Sequence, residues 1–206
     1  VVYSDTPAID DGSTSAAVYS GRISHVMDVY GMKTDKQFVN TLEDIIRDRG
    51  APTRLLSDHA ILIRSNRVAD ILRAYCIGQW TSEPHRQNQN TMERRYQTAK
   101  RLTNVVMDRS GCPPSCWLLC LQYVCTVLNC TATRSLNWRV PLTVLLGTMV
   151  DVSPLLRFHW YQPVLYAVDD TSFPSESKEE ALGYFVGLVP HCGHVMTFKI
   201  LTYDKH

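Results

Sequence analysis

The hydrophobic period of this chain switches repeatedly between two and 3.6 residues, and that alternation limits its fold more than any other feature. β-Branched and aromatic residues open it at 1–6, Pro7 and a polar, Gly-containing stretch follow, and two further strand-like runs at 16–22 and 25–31 flank Ser20-Gly21. Three antiparallel strands are expected. From Asp35 onward Phe38, Leu42, Ile45, Ile46 and Arg49 take helical spacing, and Gly50-Ala51-Pro52 ends that helix with a glycine cap and a proline beyond it. Leu55-Leu56-Ser57 then reads as a short strand, Val68, Ile71, Leu72 and Tyr75 as a helix capped by Ser65, and 76–81 as another strand. A long helix is predicted from about Thr91 to Arg109, a second over 115–129, and a short one at 141–146 closed by Gly147. Strands alternating with helices after an antiparallel start predict an α/β fold, a mixed sheet flanked by helices.

Beyond Asp151 the texture changes to strand-like runs at 163–168, 183–189 and 194–201, separated by turns and by the polar connection 169–180. A core over 1–150 and a small β-rich module over 151–206 are expected, which suits 206 residues of ordinary globular composition, 45% hydrophobic and 20% charged. Internal repeats and low-complexity tracts are absent, and no apolar run has the roughly 18 residues a bilayer span needs, so no membrane partner is expected. The opening Val1-Val2-Tyr3-Ser4-Asp5 lacks the marks of a signal peptide and reads as a strand cut at its start, as in a piece of a longer polypeptide.

Of the seven cysteines, Cys112, Cys116, Cys120, Cys125 and Cys130 crowd one apolar segment. That is the pattern of buried helical thiols in a reducing compartment; the Cys-x-x-Cys pairs of zinc sites are missing. His191-Cys192-Gly193-His194 reads as a turn between strands. Trp80, Trp117 and Trp138 lie in apolar stretches and are expected in the core, as is the pair Trp160-Tyr161.

Three acids stand at the ends of predicted elements: Asp5 after the first strand, Asp58 after a later one, and Glu93 in the first turn of the long helix. Singly they have ordinary duties, capping a turn, bracing a loop or favouring a helix N-terminus. Together they are the hard oxygen ligands that Mg²⁺ or Mn²⁺ takes, and two such ions can activate a water or hydroxyl and stabilise a leaving oxygen. A net charge of +1 supplies no bulk attraction to nucleic acid, so phosphate contacts must be local. The long helix offers them: behind a buried stripe of Met92, Tyr96, Ala99, Leu102 and Val106 lie Glu93, Gln97, Lys100 and Asn104, with Arg94, Arg95 and Arg101 adding charge. His59, beside the second acid, could donate to a phosphate or pack in its loop.

The order Ser4-Asp5-Thr6, Arg49-Gly50-Ala51-Pro52, Ser57-Asp58-His59-Ala60, Glu83-Pro84-His85, then Gln87 through Glu93-Arg94, resembles the integrase core of copia-type LTR retrotransposons. Trp138-Arg139-Val140-Pro141, Arg157-Phe158-His159-Trp160-Tyr161 and Gly183-Tyr184-Phe185-Val186-Gly187 resemble the segment that follows that core. The resemblance implies a ribonuclease-H-like fold followed by a small SH3-like β module. It gives Asp5, Asp58 and Glu93 the roles of catalytic acids and ligands for two Mg²⁺ or Mn²⁺ ions; beside them His59, Asn90, Arg94, Gln97, Lys100 and Arg101 are the expected DNA contacts. It further implies a nuclear DNA integrase with a cytoplasmic particle stage, a polynucleotidyl transferase that trims and joins the 3′ ends of double-stranded DNA as a homo-oligomer. Two positions depart from the family pattern: His59 stands where Asn is usual, and Gln89-Asn90 where Asn-Gly is common. Alternatives are an inactive DNA-binding protein derived from such an element and a ribonuclease-H-like nuclease without strand transfer.

Overall fold

The computed structural model describes residues 1–57, 65–81, 91–168, 179–189 and 197–202. The chain begins as an antiparallel meander of β1 (Val2–Tyr3), β2 (Ser15–Ser20) and β3 (Met27–Met32), in register Tyr3↔Ser15 and Val18↔Val29. The β2–β3 turn is closed by Gly21 N–H on the Val26 carbonyl and His25 N–H on that of Gly21, both at 2.9 Å, with His25 in the left-handed region at φ 62°.

Alternation along β2 and β3 sends side chains to two separate cores. Ala17 and Met32 face α1 (Phe38–Arg49), where Phe38, Val39, Leu42 and Ile46 meet Val68 and Leu72 of α2 (Asn66–Ala74). The predicted caps hold: Gly50 ends α1 at φ 86°, and the Ser65 side chain accepts the Val68 N–H at 3.2 Å. On the opposite face Ala16, Val18, Met27 and Val29 meet α4 (Trp117–Asn129), which packs beside α3 (Thr91–Ser110) through Ala99. Gly31 permits this approach, because a Cβ there would come within 2.7 Å of Leu118 Cδ2. Cys112, Cys116, Cys120 and Cys125 are buried in this second core, as expected of helical thiols. Burial pushes the Cys116 thiol up to about 11 and that of Cys125 to about 12, so both stay protonated near neutrality.

Among the described residues the strands form three separate sheets, not the one mixed sheet expected. β4 (Arg54–Ser57) and β5 (Gly78–Thr81) pair parallel around α2 as their own two-stranded sheet, separate from β1–β3. β1 is two residues long, and directly after it the Ser4 hydroxyl turns back on Thr6 and Pro7 removes a donor, leaving little ladder for a second neighbour. Leu56 and its partner Trp80, side by side on β4 and β5, are both exposed. Trp80, expected in the core, is 59% exposed there with the Arg54 guanidinium 5.7 Å over its ring. Trp138 is 71% exposed as well, on a loop before the short helix α5 (Pro141–Leu146). Trp117 is half-buried and donates its indole N–H to the Thr6 carbonyl at 2.8 Å, and Trp160 is buried.

The chain ends in an antiparallel sheet of β6 (Pro163–Val168), β7 (Glu179–Leu188) and β8 (Phe198–Thr202). This sheet docks on α4. Tyr123 lies 5.2 Å from the Trp160 ring and 6.1 Å from that of Phe185, Val186 and Trp160 join the same core as Leu118, and Lys199 pairs with Asp10 at 3.7 Å. The connection 169–178 and the His191-Cys192-Gly193-His194 turn lie outside the described residues. No helix among the described residues is long and apolar enough to cross a membrane.

Candidate functional site

Asp5 sits on the bend that follows β1, exposed, between two anchored neighbours. Ser4 N–H donates to the Thr14 carbonyl at 2.9 Å and the Thr6 carbonyl receives the Trp117 indole, so its backbone is tied to both β2 and the start of α4. Among the described residues Asp5 has no basic partner.

Glu93 occupies the first turn of α3, also exposed. That turn is set by its neighbours Met92 and Tyr96, which pack on the core that also receives Val2 of β1. Farther along, the Thr103 hydroxyl donates to the Ala99 carbonyl at 2.9 Å and the Cys120 thiol reaches the Thr103 carbonyl at 3.8 Å, locking the helix to α4. Asp5 and Glu93 thus stand on two elements that share one core, with Asp5 tied to the N-terminal end of α4 and Arg95 of α3 close enough to the Cys125 thiol, in the C-terminal half of α4, to act on it. Asp58, His59 and Asn90 lie outside the described residues. Among the described residues no three His, Cys, Asp or Glu side chains group to hold a metal ion.

The expected polar face of α3 is present. Arg94, Gln97, Lys100 and Arg101 are all exposed, and none of the three cations is paired with a carboxylate among the described residues. Arg95 departs from the expectation: it turns inward, half-buried, with a buried Nε that finds no acceptor. Burial lowers its guanidinium below the ordinary arginine value, and its charge acts on His25. It therefore adds to the field beneath the surface instead of to the exposed face.

Two features were missed in the residue pattern, each with a single faint signal. Asn129 ends α4 fully enclosed and holds the Met27 backbone by two hydrogen bonds; its one signal is a polar residue continuing the apolar spacing of Leu121 and Cys125. The loop 133–139 displays Trp138, and its signal is the Asn137 before it, a residue type that tolerates the left-handed region.

No protein-family model and no curated protein matches the chain. Solved structures do. The catalytic core domain of BIV integrase aligns with a TM-score of 0.54 at 16% identity, covering 66% of this chain and 88% of that one. The HTLV-2 integrase catalytic core domain in complex with magnesium, in its trimeric form, aligns with a TM-score of 0.51 at 14% identity, covering 64% and 92%. At such identities the likeness is one of backbone architecture, and the chain is similar in fold to the catalytic cores of retroviral integrases.

Proposed function

We propose that the chain is a retrotransposon integrase of copia type, a divalent-metal-dependent polynucleotidyl transferase that processes DNA 3′ ends and joins them to target DNA. The observation that carries this reading is the fold likeness, which takes in 88–92% of two integrase cores. Asp5 at the end of the first strand and Glu93 at the start of the long helix support it. Their exposed carboxylates are hard oxygen donors of the kind Mg²⁺ accepts while keeping several waters, and one of the similar cores was solved with magnesium. With Asp58 they would hold Mg²⁺ or Mn²⁺, which when bound supplies activation of a water or 3′-hydroxyl. Arg94, Lys100 and Arg101 then serve as phosphate contacts that seat the DNA backbone along α3, joined by Gln97, His59 and Asn90.

On the same reading the chain divides into a core over 1–150 and an SH3-like module over 151–206. It acts on double-stranded DNA as a homo-oligomer, in the nucleus after a cytoplasmic particle stage. The trimeric form of one similar core agrees with oligomeric work.

A strand-transfer assay with duplex DNA ends and Mg²⁺ or Mn²⁺ tests the reading. Joined product supports it. Hydrolysis without joining points instead to a ribonuclease-H-like nuclease, and DNA binding with no reaction under any divalent metal to an inactive DNA-binding derivative.

A further inference from the structure

The loop between α4 and α5 holds a bulky residue in a conformation that its packing does not repay. Residues 133–139 form a tight hairpin: Thr133 N–H meets the Arg139 carbonyl at 3.2 Å, Trp138 N–H meets that of Thr133 at 2.9 Å, and Asn137 N–H meets that of Arg134 at 3.1 Å. Closing it takes two consecutive left-handed residues, Asn137 at φ 54° and Trp138 at φ 62°. Asn adopts that region readily; Trp does so at a cost, since its Cβ crowds the following carbonyl. Buried packing could offset such a cost, but this indole is 71% exposed.

The surroundings are basic. Arg134 and Arg139 stand on the same loop as Trp138, both exposed and both without a carboxylate partner among the described residues. The Ser135 hydroxyl lies 3.1 Å from His25 Nδ1, which ties the loop to the β2–β3 turn and to the exposed, likewise unpaired Arg22 on it. Asp28, at the start of β3, is already held by Arg49 at 2.7 and 3.0 Å. An aromatic side chain held out to solvent on a loop that also carries two unpaired arginines is the combination that stacks an unpaired base and neutralises the phosphates beside it. An acidic peptide would use the guanidinium groups alone and leave the strained indole without a task.

We propose that residues 133–139 form a single-stranded DNA-binding element that stacks a base on Trp138 and holds the adjoining phosphates with Arg134 and Arg139. The register Tyr3↔Ser15 puts Asp5 at the opposite end of β2 from the turn this loop contacts, so the element is separate from that acid and needs no metal.

Its test is the binding of a fluorescein-labelled twelve-residue oligo(dT) to the 206-residue chain in EDTA, read by anisotropy. Trp138→Ala should weaken binding about tenfold and Trp138→Phe much less. Replacing Arg134 and Arg139 by Ala should flatten the salt dependence by about 0.7 per lost phosphate contact. Trp138→Gly relieves the left-handed strain, so it should melt no lower than wild type while losing affinity as Trp138→Ala does. The proposal is overturned if Trp138→Ala binds as wild type does, if Trp138→Gly melts lower, or if an oligo-glutamate peptide of equal charge competes as well as unlabelled oligo(dT). Joining activity with binding indifferent to Trp138 would sink this proposal alone; absent joining with Trp138-dependent binding would sink the integrase reading alone.

Discussion

Asn129 clamps Met27 from both sides of its backbone: the amide Nδ2 donates to the Met27 carbonyl and Oδ1 accepts the Met27 N–H, each at 2.8 Å, across 102 residues of sequence. Both partners are buried, so no water stands ready to replace either bond. Asn129→Ala leaves a buried donor and a buried acceptor unpaired and should lower stability by at least about 2 kcal/mol in urea unfolding. Asn129→Asp keeps the acceptor but loses the donor, and should recover part of its deficit in acid as the carboxyl protonates. A midpoint unchanged by Asn129→Ala would show that the clamp contributes nothing.

That clamp illustrates which parts of the molecule the sequence made legible. Local signals were readable because local physics enforces them: Ser65 accepts the N–H of Val68, Gly50 and Gly147 end their helices at positive φ, and Cys112, Cys116, Cys120 and Cys125 are buried. What depends on distant partners was not. Nothing near Trp80 announces that it is exposed, and nothing near Arg95 distinguishes it from the outward Arg94. Of the acids, placement at element ends was readable for Asp5 and Glu93, while Asp58 lies outside the described residues.

The terminal sheet illustrates the same divide. Its strands were readable, but their docking on α4 through Phe185, Val186 and Trp160 was not. Phe185 is fully buried and touches rings from Tyr123, Phe158 and Phe198. Phe185→Ala should cost about 3–5 kcal/mol. Because the sheet shares its core with α4, heat should unfold wild type in one transition by calorimetry; two resolved transitions would show that the sheet is an independent unit.

His25 links stability to pH. Burial and the charge of Arg95 hold its imidazole below the ordinary value of 6.5, so the folded chain binds fewer protons there than the unfolded chain. Its contribution is therefore complete above pH 6.5 and lost as pH falls through the depressed folded value. His25→Asn, which suits the left-handed backbone at this position, should reduce the acid-side slope of stability against pH. Equal slopes for wild type and variant between pH 7 and 5 would remove His25 as the cause.

Thiol chemistry should follow burial. Cys76 is exposed, whereas Cys116, Cys120 and Cys125 are enclosed with their thiols held protonated by burial. Iodoacetamide applied to the native chain at neutral pH should alkylate Cys76 and spare those three until denaturant is added, as peptide mass mapping would show. Rapid native alkylation of Cys120 would contradict the packing of α3 against α4.

The candidate acids and the basic face of α3 can be separated by substitution, since the proposed function gives chemistry to one and affinity to the other. Glu93→Gln keeps the side-chain size and a good helix former while removing the anionic oxygen, and Asp5→Asn does the same at the end of β1. Each should reduce metal-dependent cleavage and joining by two orders of magnitude or more, a figure on the order expected for losing a direct charge at the reacting centre, with duplex DNA affinity in EDTA unchanged. Replacing Lys100 and Arg101 by Ala should act the other way: weaker duplex binding, a salt slope lower by about 0.9 per lost phosphate contact, and metal-dependent chemistry recovered at high DNA concentration. Should Glu93→Gln cleave and join as wild type does, the acid on α3 has no part in the reaction; should neither wild type nor variant react with any divalent metal, the inactive DNA-binding alternative is the better account of the chain.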